Sequence, residues 1–576
     1  MKADAFALPE KYMAGNILTP QALWGNFKLD KEPSAETISE KKVGDVIVSH
    51  VFISGRNTQT GQVKIFATIA RNVQLSIMPA VLIVQDLESR SGDDVVIELA
   101  KRGYMAVSID IAGKREDGLN YTLYPEEIEY ANYVNVNETL TEIEKGVKDS
   151  CWYEWGIAVR YAIGYLKNQP CISSIGAIGI KGGATLLWQV AGTDNSLSAF
   201  VAVMNAGWQA YKNQFKFKVA GTDTQMSENM FKYVAGVEPQ SYATGVKCPT
   251  LMLVATNSNR YDADRAYDTV ARIDDKIYST IDYTPNAVSN VGISAIRNTI
   301  LFLDEFLMRG LKTAENLPSN PEVKCAIKNG KIEIEVLADE TELSELCAFV
   351  SEGVETPCLR AWRKISGKDK NEKGRRVFYY SPYPESGIVT FFVQARYDSG
   401  FTVCSPISAK KFKPEEVEIK YKERIVFSGR EEDAVSIFGE RSLVDESFSL
   451  KIDKNVGVKE KSGPMGISGA YAENGLITFK INAEKDKPVD DAMLMLDVYV
   501  KSDDELTVKL ICDYFGKKTE YMCKVAVKGG KVWHNVQLDM NKFKTADGKI
   551  IKSYSQVNAI EFSLNGTYII NNVLWL

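Results

Sequence analysis

The stretch Gly179-Ile180-Lys181-Gly182-Gly183 has residue types at a spacing that could do chemistry. Glycines at positions 179 and 183 around a central residue match the nucleophile elbow, G-x-S-x-G, in which a strained turn between strand and helix lifts the central side chain above a parallel sheet. The glycines answer a steric demand, because strand and helix approach too closely there for a Cβ. The flanks agree: residues 175–180 read as a buried strand and 184–191 as a helix. The central residue, however, is Lys181 rather than Ser or Cys. A desolvated lysine can form Schiff bases. No acid–base partner for it is visible, so an ion pair with a nearby carboxylate is the preferred reading of Lys181.

Other routes to catalysis are sparse. The chain has two histidines, His50 and His534, both remote in sequence from Lys181, which leaves almost no material for imidazole chemistry. Its nine cysteines include no C-x-x-C pair, so buried free thiols are expected, with no metal and no cofactor. Glu126-Glu127 are paired acids of the kind glycosidases use, but they lie in a polar segment and read as solvated surface.

The elements that must position the elbow follow from the pattern. At 576 residues the chain needs several cores. Residues 1–45 read as an N-terminal arm. Residues 46–53 and 62–69 alternate as a strand pair around a glycine-punctuated turn. From Pro79 to residue 309, short apolar strands (81–84, 105–109, 200–204, 250–254, 277–283) alternate with helical stretches (93–102, a helix capped by Asp149 or Ser150 and running to Asn168, 263–273, 293–309). Residues 207–245 read as a cap. Repeated β-α units predict a doubly wound, mostly parallel sheet over 46–312. After a linker at 313–321 the helix period vanishes. Strand-like runs predict an immunoglobulin-sized β-sandwich over 322–412, a second linker at 406–414, and a jelly-roll sandwich over 418–576. Separate cores are expected for each domain.

Residues 46–310 resemble the α/β-hydrolase family, in particular its dienelactone-hydrolase and acetyl-xylan-esterase branch. The likeness rests on the elbow, on Trp152-Tyr153-Glu154-Trp155, and on Arg102-Gly103-Tyr104 leading to Asp110. The resemblance places the nucleophile at Lys181, and the acid at Ser258 within Ala255-Thr256-Asn257-Ser258-Asn259. Asp262 and Asp264 are poor substitutes for that acid. The histidine would fall near Asn286, in a segment without histidine, and the oxyanion loop at Val84-Gln85-Asp86-Leu87, with Gln85 and Asp86 at its centre. A triad works as a unit. Loss at every one of these positions implies a degenerate site with no catalytic residues.

Residues 531–538 and 568–575 make the C-terminal part similar to galactose-binding-like jelly rolls, which include carbohydrate-binding modules. That likeness offers Trp533 and Trp575 as sugar-stacking residues, against core packing as the preferred reading. The expectation is therefore a non-catalytic binding or self-assembling scaffold, forming a homo-oligomer or larger assembly. A carbohydrate esterase and a glycan-binding protein are the alternatives. A net charge of −6 gives no reason for a nucleic-acid or membrane partner. No apolar run spans a membrane, and residues 1–31 carry no signal-peptide pattern, so a cytoplasmic location is expected. The N-x-T sites at Asn137 and Asn565 carry no meaning in that compartment.

Overall fold

In the computed structural model the described residues are 17–576, apart from 90–91, 116–119, 137–139, 212, 219–225, 309–316, 370–374, 442–448 and 451–455. The first part of the expected arm, the start of the 313–321 linker and Asn137 lie outside them.

Nine strands form the central sheet: β1 (Ala35–Val43), β2 (Val46–Asn57), β3 (Gln62–Asn72), β4 (Met78–Val84), β5 (Met105–Ile109), β6 (Ile172–Ile180), β7 (Ala199–Val203), β8 (Thr250–Ala255) and β9 (Ser279–Thr284). Their order is β1-β2-β3-β5-β4-β6-β7-β8-β9. β1, β2, β3 and β5 pair antiparallel. From β5 to β9 every pairing is parallel. Val81 and Ile83 of β4 enter the core on one face, with helices Asp93–Lys101 and Ile293–Leu303. Ala80, Leu82 and Val84 enter the core on the other, with helices Cys151–Lys167 and Gly182–Ala191. Continuous apolar runs are what a strand buried on both faces requires. This is the α/β-hydrolase fold, and antiparallel all-β sandwiches follow it.

The arm differs from expectation. Residues 35–43 are the edge strand β1, and all nine side chains are exposed, so no alternation marks the strand in the sequence. Further back, Trp24 stacks on Tyr153 of the 151–167 helix and lies under the Arg160 guanidinium at 4.1 Å.

In the first sandwich, strands Glu322–Lys328, Lys331–Leu337, Arg375–Tyr380 and Lys368–Asp369 face a sheet built on Leu343–Glu352 and Ile388–Tyr397. The C-terminal region forms a six-stranded and a five-stranded sheet. The expectation of separate cores needs correction. Phe349, Trp362 and Phe392 of the first sandwich share one core with Ile281 and Tyr283 of β9. The Tyr283 and Phe392 rings lie 5.1 Å apart. Arg360, fully buried, holds Asp264 through two hydrogen bonds, one of 3.0 Å. Only the C-terminal sandwich keeps a large core of its own. It joins its neighbour partly through the buried Lys485–Glu352 ion pair. The linker composition was legible; the apolar faces that the sandwich turns onto β9 were not.

One buried carboxyl makes this junction sensitive to pH. Asp282 of β9 accepts from Asn298 Nδ2 (3.1 Å), Gln394 Nε2 (3.3 Å) and Cys404 Sγ (3.6 Å), which spans the sheet and the first sandwich. Burial pushes it up to about 7 from an ordinary 3.8. Between those values the folded chain holds a proton that the unfolded chain has released, so stability falls as pH rises through that window and levels off above it. In urea denaturation at pH 5 and pH 8, Asp282→Asn is expected to lose less stability across that interval than the unaltered chain. An identical pH difference in both would remove Asp282 as the source.

Candidate functional site

The elbow forms where the glycine spacing predicts it. A Cβ on Gly179 would lie 2.5 Å from Ala184 Cα, and one on Gly183 would lie 2.1 Å from the Val84 carbonyl oxygen. Both contacts are to backbone, so neither can be relieved by a rotamer change. β6 therefore turns directly into the 182–191 helix, and Lys181 takes φ 50°, ψ −108° at the apex. A non-glycine residue there costs about 1–3 kcal/mol, which its surroundings must offset. Lys181 N donates to Val203 O at 2.9 Å. Asn205 Nδ2 donates to Lys181 O (3.2 Å) and Thr185 Oγ1 (2.8 Å). The strained turn is thus held from β7 and from the segment that follows it.

The Lys181 side chain does form the expected ion pair: Nζ lies 3.9 Å from Asp86 Oδ2, with both side chains more than nine-tenths buried. Asp86 Oδ1 accepts from Leu87 N at 2.8 Å and from Gly182 N at 3.1 Å. In an elbow enzyme the backbone N–H after the nucleophile and one from the loop behind the neighbouring strand form the oxyanion hole. Here those two donors converge on the chain's own carboxylate. Burial raises the pKa of Asp86, while Lys181 and the two N–H groups oppose that rise. Gln85 is turned away, donating to Ser108 Oγ at 3.1 Å. A cleft of about 230 Å³ remains over the elbow, lined by Asp86, Glu88, Tyr133, Trp152, Asn205 and Arg260 among others.

The other triad positions serve different contacts. Ser258 Oγ accepts from Arg260 N and Tyr261 N at 3.3 Å and shapes the turn before the Ala263–Val270 helix. Asp262 caps that helix through Arg265 N, and Asp264 is engaged by Arg360. Asn286, buried at φ 57°, donates through Nδ2 to Trp362 O (2.8 Å) and Ser436 O (2.6 Å), and accepts from Trp362 N (2.9 Å). Asn286 thus clamps the sheet domain to both sandwiches. Nothing in the sequence marked this role, although asparagine tolerates the left-handed conformation the clamp needs.

His50 Nε2 pairs with Asp93 at 3.0 Å at the antiparallel end of the sheet, and His534 starts a strand of the C-terminal sandwich. Glu127 accepts from Gln59 N at the surface. Among the described residues no cluster of His, Cys, Asp or Glu could hold a metal ion, and no helix is long and apolar enough to cross a membrane. Trp575 is corrected as a stacking candidate: it is 3% exposed and packed 5.0 Å from the Tyr554 ring, so it has no face for a sugar. Trp533 is half-buried, with Nε1 donating to Pro464 O at 3.1 Å.

Among solved structures, the chain is similar to an acetyl xylan esterase from Paenibacillus sp. R4 (13% identity, 50% of this chain and 92% of that one, TM-score 0.39). Acetyl xylan esterase 1 from Thermoanaerobacterium sp. JW/SL YS485 gives 13% identity over 52% of this chain and 99% of that one, TM-score 0.37. An acylaminoacyl peptidase from Pyrococcus horikoshii gives 12% identity over 50% of this chain and 52% of that one, TM-score 0.34. No family model and no curated protein matches the chain. The fold assignment rests on strand order and on the elbow.

Gly183→Ala tests the elbow's steric origin. Forcing a methyl group against two carbonyl oxygens should cost about 1–3 kcal/mol or more. Chemical denaturation measures it, and an unchanged midpoint would show that the close approach is not a constraint.

Proposed function

We propose that this chain is a catalytically degenerate α/β-hydrolase-like protein that acts as a binding or self-assembling scaffold. One observation carries the reading: Asp86 Oδ1 occupies the position between Gly182 N and Leu87 N where a reacting carbonyl oxygen would have to sit. Catalysis by such a site depends on donors aimed at developing charge. Donors already satisfied by a tethered carboxylate have none to offer. Lys181 puts no hydroxyl at the elbow, and Ser258 and Asn286 supply neither a carboxylate nor an imidazole. Two β-sandwiches whose open sheets end in edge strands, and a net charge of only −6, suit association with other copies. The carbohydrate-esterase alternative is favoured by the cleft that persists over the elbow. Of the two tryptophans offered for a glycan at the C-terminal sandwich, Trp533 is the more exposed.

Activated-ester hydrolysis should not exceed a buffer control, and a serine-directed phosphonate should not label the chain. Lys181→Ser should remain inactive, because it adds a hydroxyl without a base and leaves Asp86 in place. Stoichiometric labelling of any serine, or turnover by the unaltered protein, would establish the esterase reading, whereas turnover by Lys181→Ser alone would show that the acid or the base lies elsewhere. Light scattering at micromolar concentration should show an oligomer for the full chain, reduced in a chain ending at Phe412. A full chain that remains monomeric would remove the assembly reading.

A further inference from the structure

The elbow holds an amine and a carboxyl in the arrangement of an acyl transfer. In that arrangement the attacking atom extends from the elbow residue, and the acyl oxygen rests between the elbow N–H and the loop N–H. Here the side chain extending from the elbow ends in an amine, Lys181 Nζ. The oxygen between the two N–H groups is Asp86 Oδ1, at 3.1 Å from Gly182 N and 2.8 Å from Leu87 N. The second carboxyl oxygen, Oδ2, faces Nζ at 3.9 Å, and the two side chains are 6% and 8% exposed. We propose that Lys181 and Asp86 condense to an intramolecular amide, so that the elbow is closed covalently by its own oxyanion loop.

The step balances without any further reactant. One proton passes from the Lys181 ammonium to Asp86 Oδ2, giving a neutral amine beside a neutral acid. Nζ attacks Cγ and the N–C bond forms. The negative charge develops on Oδ1, where the Gly182 and Leu87 N–H groups receive it. The Cγ–Oδ2 bond then breaks, and Oδ2 departs as water with a proton lost from Nζ. Nothing is oxidised or reduced. Water leaves through the cleft that Asp86 lines. Condensation of an amine with a carboxylate is unfavourable between free molecules in water. Holding the two groups together removes the cost of bringing separate molecules into contact, an advantage of roughly 10⁵–10⁸ M in effective concentration for well-oriented groups. Burial also raises the Asp86 pKa, which increases the population of the neutral acid. The inference rests on the reading that the elbow turns over no external ester, since a lysine consumed in an amide is not a nucleophile.

The test is the intact mass of the full chain, reduced and denatured. The unaltered protein should be lighter than its sequence by one water, and Lys181→Arg and Asp86→Ala should each have the full mass of their own sequences. Proteolysis should leave the bond after Lys181 uncut and yield a branched peptide joining Asp86 to Lys181. An unaltered protein at full sequence mass overturns the inference, whatever the variants do. A water loss that persists in Lys181→Arg also overturns it, since it would mark dehydration elsewhere. Ester hydrolysis by the same samples is read separately. A silent assay with an unshifted mass removes the amide and leaves the scaffold reading standing, whereas turnover removes the scaffold reading.

Discussion

The structure depends on a single backbone approach: Gly183 against the carbonyl oxygens of Val84 and Gln85. It joins the end of β4 to the start of the 182–191 helix with no room for a side chain between them. The rest of the site follows. Lys181 is forced into a strained apex, Gly182 N is aimed at the loop after β4, and Asp86 in that loop lies within reach of both the amide and the lysine. Asp86 Oδ1 lies between the Leu87 and Gly182 N–H groups, and burial raises the pKa of that carboxyl while Lys181 and the two N–H groups oppose the rise.

The same economy governs the loops after β8 and β9. In an elbow enzyme these loops would carry acid and base. In this chain Asn257 donates to the Cys358 and Arg360 carbonyls, Asp264 holds the Arg360 guanidinium, and Asn286 ties Trp362 and Ser436 to the sheet. Removing one partner of a buried ion pair leaves an uncompensated charge worth about 3–5 kcal/mol. These loops therefore hold the sandwiches to the sheet, and changes in them would loosen that junction.

Much of the central sheet was legible in order along the chain. The strand at 105–109 is a continuous apolar run bounded by turn residues, and the structure returns it with those bounds. β1 was not legible, because an edge strand with all its side chains in water has no hydrophobic period to display. The 293–309 helical reading ends earlier as an α-helix, at Leu303, and continues as a π-turn over Asp304–Met308. Periodicity does not distinguish those two backbone geometries over so few residues. Trp575 kept both readings open, since an indole at a strand position can serve a core or a ligand, and only its burial against Tyr554 decides.

The sequence by itself determined the elbow, because a steric demand for missing Cβ atoms can be met only by glycine and so is written in residue identity. It also set Lys181, Ser258 and Asn286 in the turns that follow β6, β8 and β9. Only the tertiary structure decided what those residues do. Whether a carboxylate enters an oxyanion hole, or an asparagine clamps three sheets, depends on where separate segments meet. Asp86 meets Gly182 across 96 residues, and Asn286 meets Ser436 across 150. Local pattern carries no record of such meetings. They are selected by the burial of apolar faces, here those of β9 and of the 388–397 strand, and the polar contacts form within the space that burial leaves.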